Sequence, residues 1–299
     1  MPARASLFAL LVIVSLAGPL RGFRLDSVPP GFYLDEASIG VEAHTLAETG
    51  ADSTGTRWPI VFRALQDWKH PLYVYGAAAS VKALGPTRTA VRLPAVIFGT
   101  LTVLLIGLLA LELTGDARAA LFAAIVLALS PWHIQYSRMA WEAVTLGFST
   151  VLALWLYFVA RRRGGAWRFA LAGASFGLVL YSYTPAKLLL PAFLAVLAFI
   201  EWRDWSWTGL IGDRVRKHVA SLPLPPVDLG FGDILPIPRN AVGKRDAYAA
   251  VGALLLVAAP MVVFQVLHFD EIQTRFRAVS VFREASPIPA IGQSYAAHL

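Results

Sequence analysis

The sequence predicts an all-α protein, a polytopic transmembrane helical bundle of about seven spans with a long first extracytoplasmic loop carrying amphipathic juxtamembrane helices. Three observations carry that prediction. Of 299 residues, 57% are hydrophobic and 15% charged, where ordinary soluble domains carry about 25% charged residues, and mean hydropathy is +0.60. Apolar runs fall at 5–21, 89–113, 118–131, 143–160, 168–182, 185–201 and 247–267, and several reach the roughly 17–25 residues that cross a bilayer. The charge lies almost wholly between these runs. The net charge of +7 therefore reads as membrane orientation by the positive-inside rule, with no nucleic-acid partner. The absence of cysteine removes disulfides, thiolate metal sites and thiol nucleophiles.

The first run, "ASLFALLVIVSLAGPLR" (5–21), lacks an A-x-A cleavage site and reads as a retained signal-anchor helix. Segment 22–88 comes next as the first extracytoplasmic loop, its basic residues balanced by Asp26, Asp35, Glu36, Glu42, Glu48, Asp52 and Asp67. Within it "PPG" at 29–31 breaks any preceding helix. Asp35 is then the expected N-cap of an amphipathic surface helix, with Ile39, Ala43 and Leu46 at i, i+4, i+7 and Gly50 as its stop. "KHPLYVYGAAASVKALG" (69–85) predicts a second surface helix started by Pro71, with Lys69 and Lys82 snorkelling to headgroups. The 118–131 run is about 21 Å long as a helix, so it sits in protein or extends into Trp132 and His133. Arg161, Arg162 and Arg163, and the basic residues of 202–246, mark cytoplasmic loops. The Pro- and Gly-rich 203–246 stretch reads as irregular. The whole of 1–299 forms a single transmembrane domain, and its end in "IGQSYAAHL" suggests the N-terminal part of a longer chain.

With that topology the polar residues able to do chemistry share the extracytoplasmic face: Asp35 and Glu36, Lys69 and His70, Arg138 in "SPWHIQYSRMAWE", Lys187 in "YSYTPAKLLLP", and Arg275 and Arg277 after the last span. Each has an ordinary reading beside the functional one. Asp35 caps a helix while Glu36 complements its dipole. His70 precedes a helix-starting proline. Arg138 anchors an aromatic belt of Trp132, Tyr136 and Trp141. Lys187 opens an apolar span where a cation is costly unless paired or at the interface.

Taken together, the N-terminal span with its long loop opening "DEASIG", the His-Pro element "KHPLYVY", "RLPAVIFGTLTVL" with Arg92, and "SPWHIQYSRMAWE" followed by "YSYTPAKLLLP" resemble the GT-C superfamily of membrane glycosyltransferases. The branch resembled contains protein O-mannosyltransferases and lipid A aminoarabinose transferases. The resemblance covers most of residues 1–205 and, more weakly, 247–285. It implies a catalytic acid at Asp35, with Glu36 assisting the acceptor or the site geometry. It also implies a polyprenyl-phosphate sugar donor delivered from the bilayer to an outer cavity, and further spans beyond the present chain.

Such a transfer needs a base for the attacking hydroxyl and cations for the departing phosphate. The residues available are Asp35 as base, Arg138, Lys187 and Arg275 for phosphate, His70 beside them, and Tyr183, with Tyr33, Trp141 and Tyr181, for the sugar or isoprenoid. Displacement opposite the phosphate inverts the anomeric centre. The residues require no cofactor, although Asp35, Glu36 and His70 can accommodate a divalent metal. The expected partners are the donor, an acceptor of protein, lipid or glycan class, and membrane lipids, with the protein multi-pass in the cell membrane. Two rival readings are a transporter or flippase, against which the nearly uncharged interiors of 89–113 and 247–267 count, and a non-catalytic truncated homologue.

Overall fold

The computed structural model describes residues 3–64, 67–202 and 242–271. Within these, every apolar run forms a helix. The elements are α1 (Ala3–Gly22), α2 (Leu34–Thr49), β1 (Phe62–Ala64), β2 (Asp67–Lys69), α3 (Pro71–Leu84), α4 (Arg88–Thr114), α5 (Ala117–Leu129), α6 (Pro131–Tyr136), α7 (Ala143–Arg163), α8 (Ala166–Val179), α9 (Ala186–Trp202) and α10 (Lys244–Leu267). Four helices, Ala5–Gly22, Arg88–Thr114, Ala143–Arg163 and Lys244–Leu267, are long and apolar enough to cross a membrane. The other three runs form shorter apolar helices, so seven full-length spans do not form among the described residues.

Local chemistry sets those lengths. Thr87 caps α4 by accepting from the Ala90 amide at 3.2 Å, and Gly115, in the left-handed region at φ 68, ends the helix. Asp116 then opens α5 by accepting from the Arg118 amide at 2.8 Å. Ser130 and Pro131 stop α5 two residues before the apolar run ends, because Ser130 both closes α5 and caps α6, whose first residue is Pro131. α8 stops at Val179 and α9 restarts at Ala186, leaving the polar turn 180–185 between them. The irregular stretch expected at 203–246 lies outside the described residues up to 241, and α10 begins inside it at Lys244.

Three apolar clusters hold the molecule, and α4 contributes to two of them. α4 packs against α1, α2, α3, α5 and α7, and α8 joins α7 to α10. In one cluster the predicted α2 stripe of Ile39, Ala43 and Leu46 is buried against Tyr73, Val74, Ala77 and Val81 of α3 and Ala90, Val91 and Ala95 of α4. Both loop helices thus bury a face in protein, which the surface-helix expectation did not include. The short antiparallel pair β1–β2, in register Phe62↔Lys69, was also unforeseen: three-residue strands carry too little alternation to be seen. Its value is positional, since it ends at Lys69 directly before α3.

α8 meets α10 through Gly173 and Gly177, one turn apart on one face, a spacing that lets helix backbones approach closely in lipid. A Cβ at Gly177 would lie 2.8 Å from Val257 Cβ, and one at Gly173 would be driven into the Ala250 carbonyl. Gly252, on α10, has nothing within 4 Å of such an atom. Gly173→Ala is therefore expected to destabilise the protein by about 1–3 kcal/mol through overpacking, while Gly252→Ala leaves stability unchanged or raised. Unfolding in detergent followed by circular dichroism measures both.

Candidate functional site

The site begins with an irregular linker between α1 and α2 that has no secondary structure to pair its carbonyls. Two arginines supply the missing donors. Arg92, fully buried in α4, donates from Nη1 to the carbonyls of Leu25 and Pro29, both at 3.1 Å, and from Nη2 to that of Gly31 at 2.8 Å. Its Nε and Nη2 also grip the two oxygens of Glu36, each at 2.8 Å, so all five guanidinium donors are used. Arg138 donates from Nη1 to the carbonyls of Leu20 (3.1 Å) and Arg21 (2.8 Å), and from Nη2 to those of Phe23 (2.5 Å) and Val28 (2.9 Å).

Glu36 is the other end of this lattice. Besides Arg92 it accepts from the Ala140 amide at 2.9 Å and from the Tyr33 amide at 3.2 Å. Burial by itself pushes its carboxyl up. The hydrogen bonds from Arg92, Ala140 and Tyr33, with the Arg92 charge, outweigh burial and hold the group below its ordinary range. The bond to Tyr33 shows that the N-cap of α2 is Tyr33, with Glu36 at the third helical position reaching back to it. Asp35 sits inside the first turn, which corrects its expected role as N-cap. A third arginine, Arg21 at the end of α1, donates to the carbonyls of Ala17, Leu127 and Ala128 and meets His133 Nδ1 at 2.9 Å. Burial, reinforced by that guanidinium, lowers the His133 pKa to about 4, so the ring is neutral near pH 7 and Nδ1 accepts.

On this frame stands an exposed carboxylate. The Asp35 side chain is 59% exposed, and one of its oxygens meets Lys69 Nζ at 2.5 Å, Lys69 being 7% exposed. Its second oxygen has no partner among the described residues. Lys69 is placed by its C-terminal neighbours: the buried Glu142 accepts from the His70 amide and lies 3.4 Å from His70 Nδ1. The Leu72 amide donates to the Tyr181 carbonyl at 3.1 Å, and the Thr145 hydroxyl to the Glu142 and Ser182 carbonyls at 2.6 and 3.1 Å. These bonds stitch the start of α3 to the 180–185 turn, which carries Tyr183. Burial first, then the Glu142 and Asp35 charges, pushes the Tyr183 phenol up, while a hydrogen bond with Trp141 and the Lys69 charge act the other way. Trp141 in turn stacks on Tyr136 at 5.2 Å.

The structure therefore brings together Asp35, Lys69, Glu142, Trp141 and Tyr183. Several expectations change. Of the Asp35–Glu36 pair only Asp35 presents an oxygen outward; Glu36 is committed to the geometry beneath it. Arg138 has its four terminal N–H groups on carbonyls, which leaves none of them for phosphate. His70 is buried against Glu142 and serves as N-cap of α3. Lys187 lies half-buried in the first turn of α9 with no hydrogen-bond or ion-pair partner among the described residues. Arg275 falls outside the described residues. The divalent-metal trio does not assemble, since Glu36 faces Arg92 and His70 faces Glu142, and among the described residues no group of three or more His, Cys, Asp or Glu side chains is placed to hold a metal. Glu142 was missed as a site residue, and Lys69, placed on the right face by the sequence, was given no role beyond snorkelling. Lys69 resembles a headgroup lysine until strand β2 tucks it beneath Asp35, and Glu142 is separated from its His70 partner by 72 positions.

Comparison with known proteins agrees with this architecture. Residues 69–211 match the family described as dolichyl-phosphate-mannose-protein mannosyltransferase. Among solved structures, ArnT from Cupriavidus metallidurans, crystallised with undecaprenyl phosphate, superposes with a TM-score of 0.59 at 14% identity, over 90% of this chain and 43% of that one. The chain thus spans less than half the length of that protein. No curated protein sequence matches significantly. The likeness to ArnT shows the fold, a bundle of apolar helices, which is the class the sequence predicted.

Two outcomes are expected from the arginine lattice. Arg92→Ala strands the Glu36 carboxylate and three carbonyls in the interior, and is expected to cost about 3–5 kcal/mol; the double variant Arg92→Met/Glu36→Gln recovers part of that loss in detergent unfolding. His133 is held neutral, with a folded pKa of about 4 below its ordinary 6.5, so the unfolded chain binds more protons between those values. Its share of stability is full above about pH 6.5 and is lost as pH falls toward 4. His133→Gln should flatten the unfolding-versus-pH curve in that window.

Proposed function

We propose, from the premise of the GT-C resemblance, that this protein is an integral membrane glycosyltransferase that takes a sugar from a polyprenyl-phosphate donor and passes it to an acceptor hydroxyl on the extracytoplasmic face. The observation that carries the proposal is Asp35: an exposed carboxylate with one oxygen anchored by a buried lysine and the other without a partner among the described residues, in the first turn of α2 behind a linker fixed by two arginines. A general base needs that arrangement, an acceptor atom open to substrate on a carboxylate that cannot swing.

In this reading Asp35 takes the proton from the attacking hydroxyl, and the free base face sets the approach. The bond from the anomeric carbon to the donor phosphate breaks as the new glycosidic bond forms on the opposite side, with inversion. Lys69 holds Asp35 and is the nearest cation to the reacting region, so it joins Lys187 and Arg275 in stabilising the departing phosphate. Tyr183 and Trp141 form the polar-aromatic wall beside the base, suited to a sugar ring. The undecaprenyl phosphate of the ArnT structure supports a polyprenyl donor class, and the mannosyltransferase family match supports transfer of a hexose or related sugar.

Asp35→Asn in the full-length protein is expected to lower turnover by at least about a hundredfold, the usual scale for a lost general base, with folding and membrane insertion intact. Turnover near wild type in a membrane assay with a panel of polyprenyl-phosphate sugars would refute the assignment.

A further inference from the structure

A second site lies at the far end of the bundle. α7 runs 21 residues from Ala143, next to Glu142, to Arg163, about 30 Å at helical rise. Near that distal end an open groove of about 170 Å³ lies between α7, α8, α9 and α10. Tyr157, Phe169, Phe176, Leu194, Leu197 and Leu254 wall it, and small alanines and Gly173 form its floor. Apart from the Tyr157 hydroxyl, no lining side chain carries a polar atom. The Gly173–Ala250 contact closes the groove at the back, while α9 makes little contact with α8 and leaves the side open.

The rim has the opposite character. Arg168 directly precedes the wall residue Phe169, and Lys244 and Arg245 stand within one turn of the floor residue Ala247, both exposed. Arg163 ends α7 at the same level. Among the described residues the acids nearby are Glu112, 3.4 Å from Arg162, Asp246 in the first turn of α10, and Glu201 near the end of α9. Trp167 and Tyr248 are 64% and 61% exposed there, the residue types that settle at headgroup depth, and the Arg168 guanidinium lies 4.6 Å from the Trp167 ring. Hydrocarbon walls below a cationic, aromatic rim are complementary to a lipid with an anionic head. A neutral lipid or an apolar helix would fill the groove and leave the cations unmatched.

We propose that this groove holds one acyl chain of an anionic glycerophospholipid from the leaflet opposite the Asp35 site, with its phosphate on Arg168, Lys244 and Arg245. The site is separate from the transfer site and does not depend on that reaction. A basic side chain at an anionic lipid surface contributes about fivefold in affinity, so the rim selects the headgroup while the groove sets retention.

The test uses the full-length protein reconstituted with roughly equimolar phosphatidylglycerol and phosphatidylcholine, and native mass spectrometry of the lipid retained. The wild type should keep phosphatidylglycerol over phosphatidylcholine by about fivefold or more. The Arg168→Gln/Lys244→Gln/Arg245→Gln variant should bring the ratio near unity, and Ala198→Trp, filling the groove from α9, should reduce retention of both lipids severalfold. Equal retention by the wild type, or selectivity surviving in the triple variant, overturns the proposal. An independent measurement on the wild type needs no variant to fold: phosphatidylglycerol with a photoreactive acyl chain should label Leu194, Leu197 or Leu254. Labelling confined to other residues, as when another protein segment occupies the groove, also overturns it.

Discussion

The Arg92–Glu36 pair is the constraint on which the rest of the molecule depends. Its two hydrogen bonds join α4 to α2, and the remaining donors of Arg92 and acceptor sites of Glu36 reach Leu25, Pro29, Gly31, Tyr33 and Ala140. A buried ion pair of this kind adds little net stability over a well-packed apolar pair. What it adds is geometry. The linker from α1 to α2 has an irregular backbone, and buried carbonyls without partners are costly. Arg92 and Arg138 between them satisfy the carbonyls of residues 20, 21, 23, 25, 28, 29 and 31. The first turn of α2 therefore has one position relative to α4, and Asp35 has one position relative to Lys69.

The same logic explains why the site tolerates so much irregular backbone. The stretch at 137–142 and the turn 180–185 are pinned by side chains: Glu142 on the His70 amide, Thr145 on the Ser182 carbonyl, Glu36 on the Ala140 amide. Polar side chains inside a bundle are expensive when unpaired, and here they are paired mostly with backbone. Asp35 and Tyr183 emerge at the exposed margin of this framework, and α4 is a wall of two of the apolar clusters below it.

Much of the fold was legible in the sequence because bilayer-scale apolar runs and terminal breakers are strong local signals. All seven runs became helices, and the Ile39–Ala43–Leu46 stripe and the Pro71 helix start appeared where spacing put them. Helix lengths were less legible: Ser130 and Pro131 cut α5 short through capping chemistry that hydropathy does not weigh. At the candidate site, the sequence did not show that the two acids of the first pair face different partners. Asp35 and Glu36 are adjacent in sequence yet about 100° apart around a helix, so one meets solvent and Lys69 while the other meets Arg92. Arg138 looked like a phosphate ligand because a guanidinium fork on the face predicted for Asp35 matches phosphate oxygens. Its carbonyl partners lie more than a hundred positions earlier, beyond any local pattern.

That long reach also orders the birth of the protein. Arg138 closes on residues 20, 21, 23 and 28, and Arg92 on 25, 29 and 31, so during synthesis the linker is released well before either clasp exists. Until α4 and then α6 emerge and insert, those carbonyls keep their water and the stretch stays pliable. The carboxylate that the fold finally holds still is thus made long before the two arginines that fix its linker.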